Sequence, residues 1–347
     1  MSPDRAEWPL TETPPAIPGC SFDALAAPLR QRSRMSAASP VLVCDSSNRL
    51  VWLDARKDGI GSSDSPCILR LEKAWGSPFT VSCLKRGLAL PADMEDEESE
   101  LMKWGHYSEG PMLQAFADET GHTAQLSGAM FRSGDPATPF AMTTLDGIVT
   151  EKGGKVGGAE CKFVRYTARD WEIDGIPEHV ACQDLHTMDV MNWDFMYVIA
   201  LLDGYKLRWK KQERDDEILG DIIRPAEADF WQRLMDGEQF DAGVGGRPDM
   251  AASWLKSLHP DDDGTTIRLE GDHWIEVMDN WRVAAEEEKA EKRLKEKAKN
   301  SLVQEIGDAT FARLDDGRRI SLKTQTRTTK PTTETKTSTF RVLRETK

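Results

Sequence analysis

The sequence predicts a mixed α/β fold, and three stretches carry that reading. Residues 141–164, AMTTLDGIVTEKGGKVGGAECKFV, read as two short strands, TTLDGIV and AECKFV, around a Gly- and Lys-rich hairpin loop. Residues 178–203, EHVACQDLHTMDVMNWDFMYVIALLD, read as a helix leading into a buried strand, YVIALL. The segment 214–236 closes with AEADFWQRLM, an amphipathic helix whose Phe230, Trp231 and Leu234 are packing residues.

The first of these stretches is also the chemical centre of the chain. A strand has a side-chain period of two, so Thr144, Asp146 and Ile148 share one face, as do Glu160, Lys162 and Val164. Two carboxylates and one ammonium can therefore meet at one spot. An acidic pair is a hard-oxygen site for Mg²⁺ or Mn²⁺, and the peptide carbonyl of Cys161 offers a third ligand. Lys162 then sits beside a metal-bound water, an arrangement suited to phosphodiester hydrolysis. The plainer alternative is a surface hairpin with an exposed ion pair.

At 347 residues the chain is long enough for one large domain or two. Hydrophobic residues make up 39%, and no apolar run approaches the ~18 needed to span a bilayer. The opening MSPDRAEWPL has no apolar signal core, so a cytoplasmic location without membrane association is expected. Six cysteines (Cys20, Cys44, Cys67, Cys83, Cys161, Cys182) form no C-x-x-C pair, which argues against a zinc ribbon or an iron–sulfur cluster and for reduced, mostly core thiols. A net charge of −14 argues against electrostatic coating of nucleic acid but leaves room for a local grip. Residues 301–347 carry ten Lys/Arg against six Asp/Glu, +4, which leaves −18 for residues 1–300. That basic tail reads equally as a solvated segment or as DNA contact.

Along the chain, residues 1–40 hold seven prolines and read as an extended or disordered arm. VLVCDSSNRLVWLDAR (41–56) reads as a hairpin around Ser-Ser-Asn. In ARKDGIGSSDSPCILRL, Gly59 and Gly61 before Ser62, Ser63 and Asp64 read as a glycine loop opening a capped helix, or as an anion site that adds Arg56. Residues 91–121 become a helix with Met102, Leu113 and Phe116 as core candidates and a start or break at Gly110-Pro111. His179, Gln183 and His186 share a helix face, read as a polar face turned toward the site or, less simply, as a zinc pair. Residues 273–306 form a long charged helix, and the segments from 309 onward read as three strands.

Several separated motifs, in one order, resemble the phage lambda exonuclease-like, YqaJ-type viral recombinase nucleases of the PD-(D/E)XK superfamily: ARKDGIGSSD, KWGHYSEGPM, MTTLDGIV, AECKF, ACQDLHTMDV, RDDEIL with DFWQRL, and SLKTQTR with TSTFRVLR. The resemblance spans roughly residues 50–347. It implies a restriction-endonuclease-like core with a central mixed sheet flanked by helices, at residues 41–240, and a C-terminal helix and β extension at 241–347. Asp146 and Glu160 would ligate Mg²⁺ with the Cys161 carbonyl, Lys162 would orient the attacking water, Glu109 would reach a second metal or its waters, and Gln183 would hold the network. Arg56, Ser63 and Thr144 match positions that cradle a 5′-phosphate, and Met102 falls where an apolar wedge meets the DNA end. The implied activity is a 5′-to-3′ exonuclease on linear double-stranded DNA, working as a homotrimer and passing single-stranded tails to an annealing protein in recombination. Two departures stand out: Ser108 and Leu185 replace the Leu and second Gln common in the family, which makes Asp184 a substitute acid for Glu109. The rival readings are an endonuclease of the same superfamily, a helicase-linked nuclease lacking its cysteine cluster, and a non-catalytic DNA-binding protein that keeps the fold.

Overall fold

The computed structural model describes residues 39–88, 100–164, 171 and 175–323. The chain divides into two compact units, residues 1–259 and 260–347.

The first unit opens with β1 (Val41–Asp45) and α1 (Arg49–Ala55). The expected 41–56 hairpin is thus a strand and a helix. Asn48 decides it: its side-chain oxygen accepts the Val51 N–H at 3.3 Å, which makes the polar turn a helix cap and the second apolar run helical. A single 3₁₀ turn, Arg56–Asp58, leads to α2 (Ser65–Ile68) and α3 (Pro78–Lys85), the latter with a Ser77/Thr80 capping box. Helix α4 (Glu100–Thr120) runs unbroken through Pro111, so the break expected at Gly110-Pro111 is absent. Leu113 and Phe116 are core residues, as expected, whereas Met102 is 54% exposed.

Strands β2 (Thr123–Leu126), β3 (Ala129–Arg132), β4 (Met142–Thr144), β5 (Gly147–Thr150) and β6 (Val156–Val164) follow. TTLDGIV is therefore two strands. β4 joins the three-stranded sheet β1-β3-β4, while β5 joins the five-stranded sheet β2-β5-β6-β7-β8, and Asp146 sits at the crossing between them. β6 begins earlier than its sequence suggests, because Gly157 and Gly158 belong to the strand. A Cβ on Gly157 would lie 2.5 Å from the Phe195 carbonyl and one on Gly158 2.7 Å from the Trp193 ring, so close approach of backbone to neighbour requires glycine at both. Gly157→Ala is expected to cost about 1–3 kcal/mol by overpacking, read as a lower urea midpoint; an unchanged midpoint would mean that the strand can shift freely.

Helix α5 (Glu178–Met191) carries the chain across to β7 (Phe195–Leu202), which pairs parallel with β6, and β8 (Lys206–Glu213) closes the sheet antiparallel to β7. Five strands in mixed orientation between helices make the α/β core the sequence predicted. The two faces of the sheet are distinct. Met112, Leu113 and Phe116 of α4 pack on Val149, Ala159, Tyr197 and Ile199, and Cys182, Leu185 and Met188 of α5 pack with Met196 of β7. After a wide turn at Leu219–Ile223, α6 (Arg224–Met235) buries Phe230, Trp231 and Leu234. α7 (Pro248–Leu258) then buries Ala251 and Trp254 in the same cluster. That burial extends the unit past the boundary expected at residue 240, to 259. Cys67, Cys83 and Cys182 are buried thiols, and Cys44 and Cys161 are half-buried.

The second unit holds α8 (Asp272–Ile306), a helix of 35 residues with no buried side chain, and the hairpin β9 (Phe311–Arg313) and β10 (Arg319–Ser321). Residues 1–38 of the arm expected at 1–40, and the strand expected from 337 onward, lie outside the described residues. No described helix is long and apolar enough to cross a membrane.

Candidate active site

In-register partners on adjacent strands point to the same face. β5 and β6 pair Ile148 with Gly158 and Gly147 with Ala159, which brings Asp146, one residue before β5, level with Glu160. Asp146, Glu160 and Lys162 therefore look out from one side of the sheet. Lys162 Nζ donates to Glu160 Oε1 at 2.5 Å and to Gln183 Oε1 at 2.8 Å, so the α5 glutamine holds the lysine from above. The Cys161 N–H donates to Asp146 Oδ2 at 2.9 Å. Within a strand, one residue's N–H and C=O address the same neighbour, so the Cys161 carbonyl also faces Asp146.

Electrostatics define the cluster further. Burial, then Glu160 and Glu109, push the Asp146 carboxyl well above its ordinary range, with Lys162 and the Cys161 N–H opposing. Burial, with Glu160 adding to it, likewise raises Glu109 on α4, although His106 Nδ1, 2.9 Å away, pulls the other way. Burial works against the Lys162 charge, but Glu160 and Asp146 outweigh it, and its proton is held more tightly than usual. Asp184, fully buried, has no hydrogen-bond partner on either oxygen among the described residues, and burial and Glu160 drive its carboxyl far upward. A neutral, protonated acid is what that environment selects.

Such a crowd of carboxylates facing one lysine is a hard-oxygen donor set with uncompensated negative charge, which fits a divalent cation. Among the described residues no three acidic, His or Cys side chains are already gathered tightly enough to hold one alone. An ion here would draw on the Cys161 carbonyl and water as well as on the carboxylates.

The other residues singled out form a second cluster. Arg56 Nη2 donates to Ser63 Oγ at 3.1 Å, and its guanidinium lies 4.8 Å over the Trp52 ring. Trp52 Nε1 in turn donates to Thr144 Oγ1 at 2.9 Å. One indole thus ties Arg56 to Thr144, two residues before Asp146. The expected helix cap at Asp64 is not formed: α2 has only four residues, and the Asp64 carboxylate instead accepts from the Gly61 N–H at 2.9 Å and from Lys85 Nζ at 2.5 Å. Lys85 also donates to the Arg56 carbonyl at 2.8 Å. Despite burial, Lys85 and Arg56 hold the Asp64 carboxyl below its usual range. Sequence reasoning missed Trp52 and Lys85. The sole signal for Trp52 was a large aromatic one helical turn before Arg56, and for Lys85 a lysine on an otherwise apolar helix face.

His186 is not a zinc ligand in this arrangement. Its Nδ1 meets Glu227 Oε1 at 2.7 Å and its Nε2 meets the Met142 carbonyl at 2.8 Å. Both partners accept, so both nitrogens carry protons. Burial disfavours that imidazolium, but Glu227 wins and lifts its pKa to about 9. The pair clamps α5 to β4 behind the active site. Met102, exposed on α4, is part of neither cluster.

Comparison with known proteins matches residues 51–194 to the family model of the YqaJ-like viral recombinase domain. The chain is 31% identical over 194 residues to the uncharacterized protein YqaJ of Bacillus subtilis (strain 168), a match that takes in 55% of this chain and spans 58% of that relative's length. Among solved structures, an alkaline exonuclease from Laribacter hongkongensis (LHK-Exo) aligns over 60% of this chain and 98% of its own at 15% identity and a TM-score of 0.41. Its complex with dAMP aligns over 60% and 96% at 16% identity and a TM-score of 0.43.

Proposed function

Residues 51–194 of this chain belong to the YqaJ-like viral recombinase domain family, and from that premise we propose that the protein is a metal-dependent deoxyribonuclease. Its substrate is the end of linear double-stranded DNA, digested 5′ to 3′ to leave a single-stranded tail for recombination. The observation that carries the reading is the convergence of Asp146, Glu160 and Lys162 on one sheet face, with Gln183 locking the lysine.

Mg²⁺, or Mn²⁺ in its place, would be held by Asp146, Glu160 and the Cys161 carbonyl, with Glu109 reaching a second ion or its waters; when bound, it acidifies water and offsets phosphate charge. Lys162 orients the attacking water and shields the charge that develops on the phosphate. Gln183 fixes the direction of the lysine by accepting its second hydrogen bond. Arg56, Ser63 and Thr144 receive the 5′-phosphate of the end being digested, with Arg56 as the charge partner. Met102, exposed on α4, wedges between the strands. A homotrimer and a partner annealing protein complete the proposal, as does a cytoplasmic location.

The test is incubation of end-labelled linear and closed circular duplex with Mg²⁺, polarity being read from the label released. Release of 5′ label from linear DNA alone is expected. Cutting of closed circles would instead identify an endonuclease, and no metal-dependent cutting of either would leave a DNA-binding protein. A finer result is expected from Arg56→Ala: digestion of 5′-phosphorylated ends should slow more than tenfold relative to 5′-hydroxyl ends, the loss of one charge-assisted contact of about 1.5–3 kcal/mol. Equal slowing of both ends would remove the phosphate pocket.

A further inference from the structure

We propose that the outer edge of the five-stranded sheet, strand β8, is a binding surface for single-stranded DNA that continues the active-site face. The proposal rests on the nuclease reading above and extends it to a strand to which that reading gives no role.

Register supplies the first argument. Lys162 pairs with Ala200 and Ala200 with Arg208, while Glu160 pairs with Val198 and Val198 with Lys210. Arg208 and Lys210 therefore point to the same side as the catalytic cluster, two strand spacings away, or about 10 Å. Charge supplies the second. β8 reads KLRWKKQE, four cations in eight residues of a chain whose net charge is −14. Lys211, on the opposite face, is tied to Glu151 and Glu213 at 3.0 Å each. Arg208 and Lys210 are exposed and, among the described residues, have no carboxylate partner. Cations without a carboxylate partner among the described residues, in line with a phosphodiester-cleaving centre, are placed for phosphates.

The shape of the edge favours one strand over a duplex. A cavity of about 420 Å³, lined by Trp171, Val198, Arg208 and Lys210, opens on the catalytic side. A second of about 450 Å³ lies around the β7–β8 turn and takes in Glu119 of α4 and the inward Leu207 and Trp209, and Tyr205 at that turn is 80% exposed. Trp171 shares the first cavity with these cations and Tyr205 stands exposed at the end of the strand, and aromatic faces beside cations stack and hold unpaired bases, whereas duplex bases keep their faces to each other.

The test uses the full chain with Ca²⁺ in place of Mg²⁺, so that binding is read without turnover, and a fluorescein-labelled oligothymidylate as probe. Arg208→Ala/Lys210→Ala is expected to bind it roughly tenfold more weakly and to lower the steepness of log affinity against log salt by about 1.4, the value for two phosphate contacts on a single strand. Arg208→Lys/Lys210→Arg should bind like the wild type, which guards against a folding defect in the alanine variant. Binding of blunt duplex should change little. Unchanged affinity and slope, equal weakening toward duplex and single strand, or loss of binding in the charge-preserving variant would each overturn the proposal. Wild-type protein that cuts DNA beside an alanine variant unchanged in binding removes this surface alone. Wild-type protein that binds the probe through β8 yet never cuts DNA removes the nuclease reading.

Discussion

Asp146→Asn should lower metal-dependent DNA cleavage by roughly a thousandfold or more, because losing a ligand costs several kcal/mol of transition-state stabilisation and each 1.36 kcal/mol is a factor of ten. The same variant should be at least as stable as the wild type without metal. Asp146 is crowded by Glu160 and Glu109, and burial penalises its charge, so a neutral amide of the same shape relieves repulsion and can still accept the Cys161 N–H. Added Mg²⁺ should raise the melting temperature of the wild type and leave that of the variant nearly still. Thermal unfolding with and without the ion, beside a cleavage assay, separates the two roles. A variant that cuts normally would mean that this carboxylate ligates nothing.

Lys85→Met should be the most damaging change away from the active site, costing about 3 kcal/mol. Lys85 and Asp64 are 2% and 0% exposed and lie 2.5 Å apart, so removing the ammonium strands a buried carboxylate that retains, among the described residues, only the Gly61 N–H and a distant Arg56 contact at 3.5 Å. Adding Asp64→Asn to the variant should recover part of the loss, since the stranded charge is then gone. The pH dependence has a fixed sign. The folded-state pKa of Asp64 lies below its unfolded value, so its contribution is present above the ordinary carboxylate pKa and fades as pH falls through the folded value. The acid limb of the wild-type stability curve should therefore be steeper than that of the double variant. Denaturant midpoints across the acid range measure it, and a Lys85→Met loss under about 1 kcal/mol would mean that the pair is dispensable. Because Lys85 also holds the Arg56 carbonyl, the variant should lose end recognition along with stability.

How far the chain could be read in advance varied from element to element for physical reasons. Helix α5 and strand β7 were legible because both periodicities are strong and the strand is apolar throughout. β8 was not: Lys206, Arg208, Lys210 and Lys211 make KLRWKKQE look like a solvated segment, and only the inward Leu207 and Trp209 betray the period of two. The 41–56 segment was misjudged because apolar runs flanking a polar turn suit a hairpin and a capped helix equally, and the choice lay in one Asn48 side chain. TTLDGIV reads as one strand, yet its halves serve two sheets.

Within the candidate site, the residue types that bear chemistry were all visible in the primary order: two acids, a lysine, a glutamine on a helix, an arginine near hydroxyls. Local chemistry and spacing determine those, because they depend on neighbours a few positions away. What only the tertiary structure decided was their company. Trp52 bridging Arg56 to Thr144, Lys85 neutralising Asp64, the unpartnered Asp184 and the cations of β8 in line with Lys162 all arise from strand register and helix docking. Those are set by contacts between residues far apart in the chain, for which no local pattern carries a signal.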